Sequence, residues 1–360
     1  MIKAKQMESV HDAKQKKDNS LQYQYVFFNA TDGHLLRYDV NGYYYICALD
    51  LKNTPNVHLV SCLLEEENAV VRFLFSIHNS RRINRYIRLP FKKIWYPKYF
   101  NETHLASIGK PICFVLNNFQ IPYNYMLYLK DKYPRARFVK IHRDLSKLFY
   151  ERYPEYSKAA CDRLFDISFT YDYGEAKQNG WKYFDEFESK TDIHPQNGSE
   201  NNYVFFAGRA KDRLKKLLDV YDRLTQQGIT CYFYITGVPE EQRVTLPGVI
   251  FADSNMPYRE MLERTVNSAC VLDINQGGAL GYTSRFLESV MYNKKLLTDN
   301  PYIKTNKYFD PKYIQLFDNP SEIDPNFIKE SSVNVNYHYS GEFSPVNLIY
   351  AIDKALVKQK

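Results

Sequence analysis

The sequence predicts an α/β protein whose sheets are mostly parallel. Three observations predict it. Apolar runs of strand length alternate with helix-period segments, most regularly between Tyr203 and Thr298. Polar segments carrying glycine or asparagine follow several of those runs, where a strand would end and where open α/β sheets place their ligands. The chain has 360 residues, enough for two domains of ordinary size.

In the first half, residues 23–29 read as the opening strand and lead into Asn29-Ala30-Thr31-Asp32-Gly33-His34. Asn29, Thr31, Asp32 and His34 would line a crevice at that strand's carboxyl end, although the same residues also suit an Asx/glycine turn. Residues 42–49 and 57–62 are further apolar runs of strand type. Residues 110–116 give the next strand, followed by Asn117, Asn118 and Gln120. A helix over 125–133 and a strand over 136–141 follow, ending in His142-Arg143-Asp144. His142 is the best-placed imidazole in the chain, with a hydrogen-bonded structural histidine as the plainer reading. Residues 145–160 suit one or two helices broken at Pro154, and 163–170 a closing strand.

The second half has a clearer rhythm. Strands are expected over 203–207, 230–236, 249–251, 269–274, 295–298 and 314–317. Helices are expected up to Leu224, over 257–265 with Pro257 in its first turn, and over 285–292. A last helix over 346–356 has Ser344 as cap and Pro345 in its first turn. The chain therefore divides into a flexible charged tail (1–20), a first α/β domain (21–185), a polar linker (186–202), a second α/β domain (203–330) and a closing segment with its helix (331–360).

Composition narrows the function classes. No apolar stretch approaches the roughly 18 residues of a membrane span, and the amino terminus lacks the apolar core of a signal peptide. Six widely spaced cysteines show neither metal-ligand nor CxxC spacing, so buried free thiols in a reducing cytoplasm are expected. The formal charge of +7 does not by itself indicate nucleic acid, and none is expected as partner. Between Arg72 and Lys98, eight Lys/Arg residues stand without any Asp or Glu, interleaved with aromatics. That stretch suits an anionic membrane surface, a pyrophosphate-bearing acceptor or RNA, and equally a solvated face.

Two clusters carry candidate chemistry. Gly208-Arg209-Ala210-Lys211 lies between a strand and a helix, where backbone N–H groups and the two cations can hold an anion. It is neither a Walker A loop nor a GxGxxG motif. Gly277, Gly278 and Gly281 then allow close backbone approach, Thr283 and Ser284 can cap a helix or meet phosphate oxygens, and Arg285 stands in its first turn. Glu288 follows three residues later on broadly the same face. Gly237 ends the strand between the two clusters.

The phrases Y-V-F-F-A-G-R-A-K-D-R-L, C-Y-F-Y-I-T-G-V, L-D-I-N-Q-G-G-A-L-G-Y-T-S-R-F-L-E-S-V and K-K-L-L-T-D-N, with the late F-S-P-V-N-L, resemble the donor domain of bacterial GT-B glycosyltransferases of capsule, exopolysaccharide or lipopolysaccharide assembly. The resemblance is to the group 1, family 4-like carboxyl-terminal domain and covers about 203–352; the first half is similar only in architecture. It implies two Rossmann-like domains facing across a cleft, with the final helix crossing back to the first. It implies a nucleotide-diphosphate sugar as co-substrate, UDP favoured over GDP, with no metal and no cofactor. The donor would meet Gly208, Arg209, Lys211, Gly237, Gly281, Thr283, Ser284, Arg285 and Glu288. The acceptor, a glycan or polyprenyl-diphosphate-linked oligosaccharide, would meet Asn29, Thr31, Asn118 and Arg143. The enzyme would work in the cytoplasm or against the inner face of the plasma membrane. Many retaining relatives carry two glutamates seven residues apart; Glu288 fits the second, whereas Leu280 occupies the first position. Inversion would require a base, for which His142, Asp32 and His34 are candidates. An epimerase or hydrolase on the same scaffold, or an anionic-polymer binding protein, are the competing readings.

Overall fold

The computed structural model describes residues 21–30, 47–61, 109–117, 123–196, 203–277, 281–330 and 334–358. They form two compact units. The first holds residues up to Phe184 together with the chain from Ser344 onward, and the second holds 185–343.

The first unit is a parallel six-stranded sheet. Its elements are β1 (Gln24–Ala30), α1 (Leu49–Lys52), β2 (Val57–Ser61), β3 (Ile112–Asn117), α2 (Tyr123–Lys132), β4 (Arg137–His142), α3 (Ser146–Arg152), α4 (Lys158–Leu164), β5 (Ile167–Thr170), α5 (Tyr173–Asn179) and β6 (Lys182–Tyr183). The strand order is β2-β1-β3-β4-β5-β6. All but the first residue of β3 and of β4 are buried, the continuous burial expected of parallel strands covered on both faces. Phe114 stacks between Phe28 and Phe138, with ring centroids at 6.2 and 5.2 Å. From α2, Tyr125, Met126 and Leu129 pack onto that layer.

Local chemistry explains most boundaries. Pro154 stops α3 and opens a short 3-10 turn. Ser157 caps α4 by accepting from the Ala160 N–H at 3.3 Å. After β5, Asp172 caps α5 by accepting from the Glu175 N–H at 2.9 Å, and Gly180 ends it with φ +67°. Where an apolar strand over 42–49 is expected, the described end is a helical turn leading into α1.

The second unit repeats the architecture with β7 (Tyr203–Arg209), α6 (Leu214–Gln226), β8 (Thr230–Thr236), β9 (Val249–Ala252), α7 (Tyr258–Asn267), β10 (Cys270–Asp273), α8 (Ser284–Met291), β11 (Lys295–Thr298), β12 (Ile314–Leu316) and α9 (Pro325–Lys329). Its parallel sheet runs β12-β11-β10-β7-β8-β9. Leu217, Val220, Tyr221 and Leu224 recur at helical spacing and form the buried stripe of α6 against Phe206, Phe233 and Ile235. Each such aliphatic side chain stabilises the unit by about 1.5–3 kcal/mol.

The last helix, α10 (Pro345–Val357), belongs to the first unit. Ser344 caps it, accepting from the Val346 N–H at 3.4 Å, and donates its hydroxyl hydrogen to Asp50. Asp353 is buried and accepts from the Tyr25 hydroxyl at 2.7 Å and the Gln22 N–H at 2.9 Å. The stretch expected as a linker is not free chain at its start. Phe187, Glu188 and Ser189 are buried in the second unit, and the Glu188 N–H bonds to the Phe343 carbonyl at 2.8 Å. Phe187 supplies apolar burial within this otherwise polar stretch.

Cys47, Cys113, Cys161, Cys231 and Cys270 are buried free thiols. Among the described residues no helix is long and apolar enough to cross a membrane. The basic stretch 72–98 and the tail 1–20 lie outside the described residues.

Candidate functional site

In the second unit the chain runs outward from β7 through β8 to β9, then returns to add β10 on the other side of β7. The topological switch point therefore lies at the carboxyl ends of β7 and β10, where connecting segments diverge and leave a crevice. Both sequence clusters arrive there. Arg209 ends β7, Lys211 follows it, Gly237 follows β8, and the segment after β10 leads through Gly281 to the start of α8. Arg209, Lys211 and Gly237 are exposed, Gly208 and Ser284 half-buried.

The α8 start is built from within. Thr283 caps the helix by accepting from the Phe286 N–H at 3.3 Å, and its hydroxyl donates to Asp273 at 2.9 Å. Asp273, at the end of β10, is fully buried and also receives the Thr298 hydroxyl at 3.4 Å. Burial raises its carboxyl above the ordinary range, opposed by Arg285 and by the Thr283 hydrogen bond. Gly281 is buried, and its carbonyl accepts from the Asn300 amide at 2.9 Å.

Arg285, expected to shape the phosphate pocket, is held by the protein's own groups. Its Nη2 and Nε donate to the Ala207 carbonyl at 2.7 and 3.2 Å, and its Nη1 lies 3.5 Å from Asp273. The guanidinium covers the Phe206 ring at 4.8 Å. It ties α8 to β7 across β10. Gly208 is what lets it pass: a Cβ there would lie 2.2 Å from Nη2.

Arg213, not singled out in the sequence, is a second tie. From a buried position it donates to the carbonyls of Ile274 and Arg209, each at 2.5 Å. Burial, with Arg285 nearby, pulls its basicity down to about 10. The loops also meet through Lys211 donating to Gln276 and the Gly277 N–H donating to Asp212 at 3.2 Å. Gly237 has φ +72°, and the Arg209 guanidinium lies over it, with Nε 3.5 Å from where a Cβ would stand. The exposed cations at the crevice mouth are thus Arg209 and Lys211, on a frame made by Arg213, Arg285 and Asp273.

Glu288, expected to meet the donor, lies buried in α8. It is 1% exposed and accepts from the Tyr258 hydroxyl at 3.0 Å; the same hydroxyl reaches buried Glu188. Burial pushes the Glu288 carboxyl up to about 7, against the pull of Arg285 and Tyr258. Tyr258 and Glu188 were not foreseen, because they come from an ordinary helix start and from a stretch read as linker.

In the first unit the switch point is between β1 and β3, paired as far as Phe28 with Leu116. Asn29 sits in β1 at that edge. Thr31, Asp32, His34 and Asn118 lie outside the described residues. Arg143 is half-buried and donates to Cys47 Sγ at 3.3 Å. His142 is fully buried, stacked on Trp181 at 4.4 Å and 5°. Neither ring nitrogen has a partner among the described residues. Burial and the neighbouring Lys140 hold it well below its ordinary pKa. A base must reach the proton it abstracts, and this enclosed imidazole does not; aromatic packing took the place that the strand-end position had suggested for chemistry.

No family model matches the chain, and no curated protein matches its sequence. Solved structures with similar folds include a Listeria monocytogenes protein assigned as a UDP-N-acetylglucosamine 2-epimerase (10% identity, 93% of this chain and 96% of that one, TM-score 0.48). A glycosyltransferase from Rickettsia africae is 12% identical over 94% and 100%, with TM-score 0.46. A trehalose-6-phosphate synthase is 11% identical over 93% and 98%, with TM-score 0.45. Strand order and pairing within the chain itself define its class: an α/β protein of two parallel six-stranded units.

Proposed function

We propose that the second unit binds a nucleotide-diphosphate sugar and that the protein is a GT-B glycosyltransferase. The observation that carries this reading is the placement of two exposed cations, Arg209 and Lys211, beside the start of α8 at the switch point of a Rossmann-ordered sheet. Backbone N–H groups at the helix start and the cations suit a diphosphate. They also suit its departure, because charge grows on the leaving phosphate as the glycosidic bond breaks. The resemblance of 203–352 to donor domains of surface-polysaccharide enzymes supports a sugar as the transferred group. It favours a UDP-sugar, and a glycan or polyprenyl-diphosphate-linked acceptor in capsule, exopolysaccharide or lipopolysaccharide synthesis. The acceptor is assigned to the first unit, with Asp32 or His34 as base if the configuration inverts. The stretch 72–98 is assigned to an anionic membrane surface.

The test is a panel of UDP- and GDP-sugars with membrane-derived acceptors, followed by mass and anomeric analysis of the product. Glycan growth supports transfer. An altered or hydrolysed donor without growth replaces it with the epimerase or hydrolase reading, which uses the same crevice. No turnover of any nucleotide sugar, with retained binding of an anionic polymer, removes both.

A further inference from the structure

We propose that Asp299 is a positioning residue of the switch-point crevice: with Arg213 it clamps the peptide between Ile274 and Asn275 and so sets the path of the segment that carries Gln276 and Gly277. Two hydrogen bonds to one peptide unit carry the proposal. The Ile274 carbonyl accepts from Arg213 Nη1 at 2.5 Å, and the Asn275 N–H donates to Asp299 Oδ1 at 2.6 Å. A cation holds the oxygen end of the peptide and an anion holds the nitrogen end. Both bonds are of the strong, charge-assisted kind, and turning the peptide plane would break the two together.

The two ions reach this peptide from opposite sides. Arg213 stands directly before α6, the helix that follows β7, and Asp299 comes directly after β11. Strand β10 runs between β7 and β11. The chain leaving β10 is therefore gripped from both flanking strands. The neighbours of Asp299 extend the grip toward α8. Thr298 donates to Asp273 at 3.4 Å, and the Asn300 amide donates to the Gly281 carbonyl at 2.9 Å. Thr298, Asp299 and Asn300 thus meet three successive points of the connection between β10 and α8, which gives the closing T-D-N of the K-K-L-L-T-D-N phrase a task.

The second carboxyl oxygen of Asp299 has its own partner. Oδ2 lies 2.7 Å from the Lys216 ammonium, which also lies over the Phe317 ring at 5.5 Å. The Lys216 side chain is 31% exposed and that of Asp299 10%. An ion pair with one partner so open to water contributes little stability. Its part is to orient the carboxylate, while the bond to the backbone N–H carries the larger share.

From the clamped peptide the chain reaches the crevice mouth within two residues. Gln276 accepts from Lys211, and the Gly277 N–H donates to Asp212 at 3.2 Å. A turned peptide would carry Gln276 away from Lys211, one of the two cations assigned to the diphosphate. Asp299 acts through this segment. Its link to the diphosphate rests on the nucleotide-sugar reading, whereas the clamp itself does not.

Hydrogen exchange of the full chain, resolved at single amides, tests the clamp. In Asp299→Ala the Asn275 N–H should exchange at least about tenfold faster, while amides in the middle of β7 and β8 keep their rates. Asp299→Asn retains an acceptor oxygen and should stay within about threefold of the unmodified chain. Asp299 borders an open cavity of about 210 Å³ with Lys304, Phe317, Asp318 and Glu322, so truncation extends a space that solvent reaches and leaves no dry void. In parallel, calorimetry with UDP as probe should show affinity reduced about tenfold in Asp299→Ala and largely restored in Asp299→Asn. Unchanged Asn275 exchange in Asp299→Ala, or equal acceleration throughout β7 and β8, would overturn the proposal. Faster Asn275 exchange with unaltered UDP affinity would overturn the link to the crevice. Absence of UDP binding in the unmodified chain would remove the nucleotide-sugar reading, and the exchange rates would then decide the clamp alone.

Discussion

Two single residues, one at the crevice of the second unit and one in the core of the first, show how closely side chains are fitted. Gly208 reads in the sequence as a position where backbone approaches a ligand. The structure gives it a prior task, leaving room for the Arg285 guanidinium. Gly208→Ala should displace Arg285 from the Ala207 carbonyl and destabilise the second unit by about 1–3 kcal/mol in denaturant titrations. Adding Arg285→Ala should cost little more, because the two changes remove the same interaction; fully additive losses would refute the coupling. Lys140 is the second case. It is buried, donates to the Ile141 carbonyl at 2.8 Å and lies over the Phe149 ring at 4.3 Å. Burial brings its ammonium down to about 7. Because the folded value is below the unfolded one of 10.5, the unfolded chain binds more protons between those values, so stability rises with pH across that window. Lys140→Met should abolish the rise and add about 1–3 kcal/mol near neutrality; an unchanged slope would contradict the assignment.

At the scale of elements, the last helix is the clearest case of sequence and structure agreeing. Ser344 and Pro345 mark its start, and its apolar period marks the buried face. Its polar anchor was not legible: nothing in the local pattern indicates that Asp353 meets Tyr25 and Gln22, more than 300 positions away. Asp353→Ala should cost about 1–3 kcal/mol by stranding the Tyr25 hydroxyl. Tyr25→Phe in the same background should recover part of that loss, as thermal denaturation of the two variants would show. A double variant no better than the single would place the loss elsewhere. The α8 unit was similarly half legible. Thr283 as cap follows from its position, whereas Asp273 and Arg213 are recognised only once β7 and β10 are neighbours. Helix α5 was missed although Asp172 and Gly180 carry its start and stop signals, because its surface composition resembles a loop. In the stretch 186–190, the pairing of Glu188 with Tyr258 and with the Phe343 carbonyl was not legible from the local composition.

For the whole molecule, alternation of strand and helix predicted two parallel sheets, but strand order required the fold, and strand order is what creates each switch point. Buried Glu288 imposes a pH dependence on the whole chain. Glu288 is raised in the folded state from 4.5 to about 7, so the folded chain binds more protons in that window. The stability it contributes is present below it and lost as pH rises through about 7. Glu288→Gln should flatten that part of the stability profile, and a profile identical to the unmodified chain would refute the assignment. The central claim is that the switch point of the second unit holds a nucleotide-sugar diphosphate. Titration calorimetry of the full chain against a UDP- and GDP-sugar panel tests it most directly. The account predicts micromolar to millimolar binding of at least one donor and a loss of about hundredfold when Arg209 and Lys211 are both changed to Ala. No binding of any donor, or the same affinity in the double variant, would contradict it.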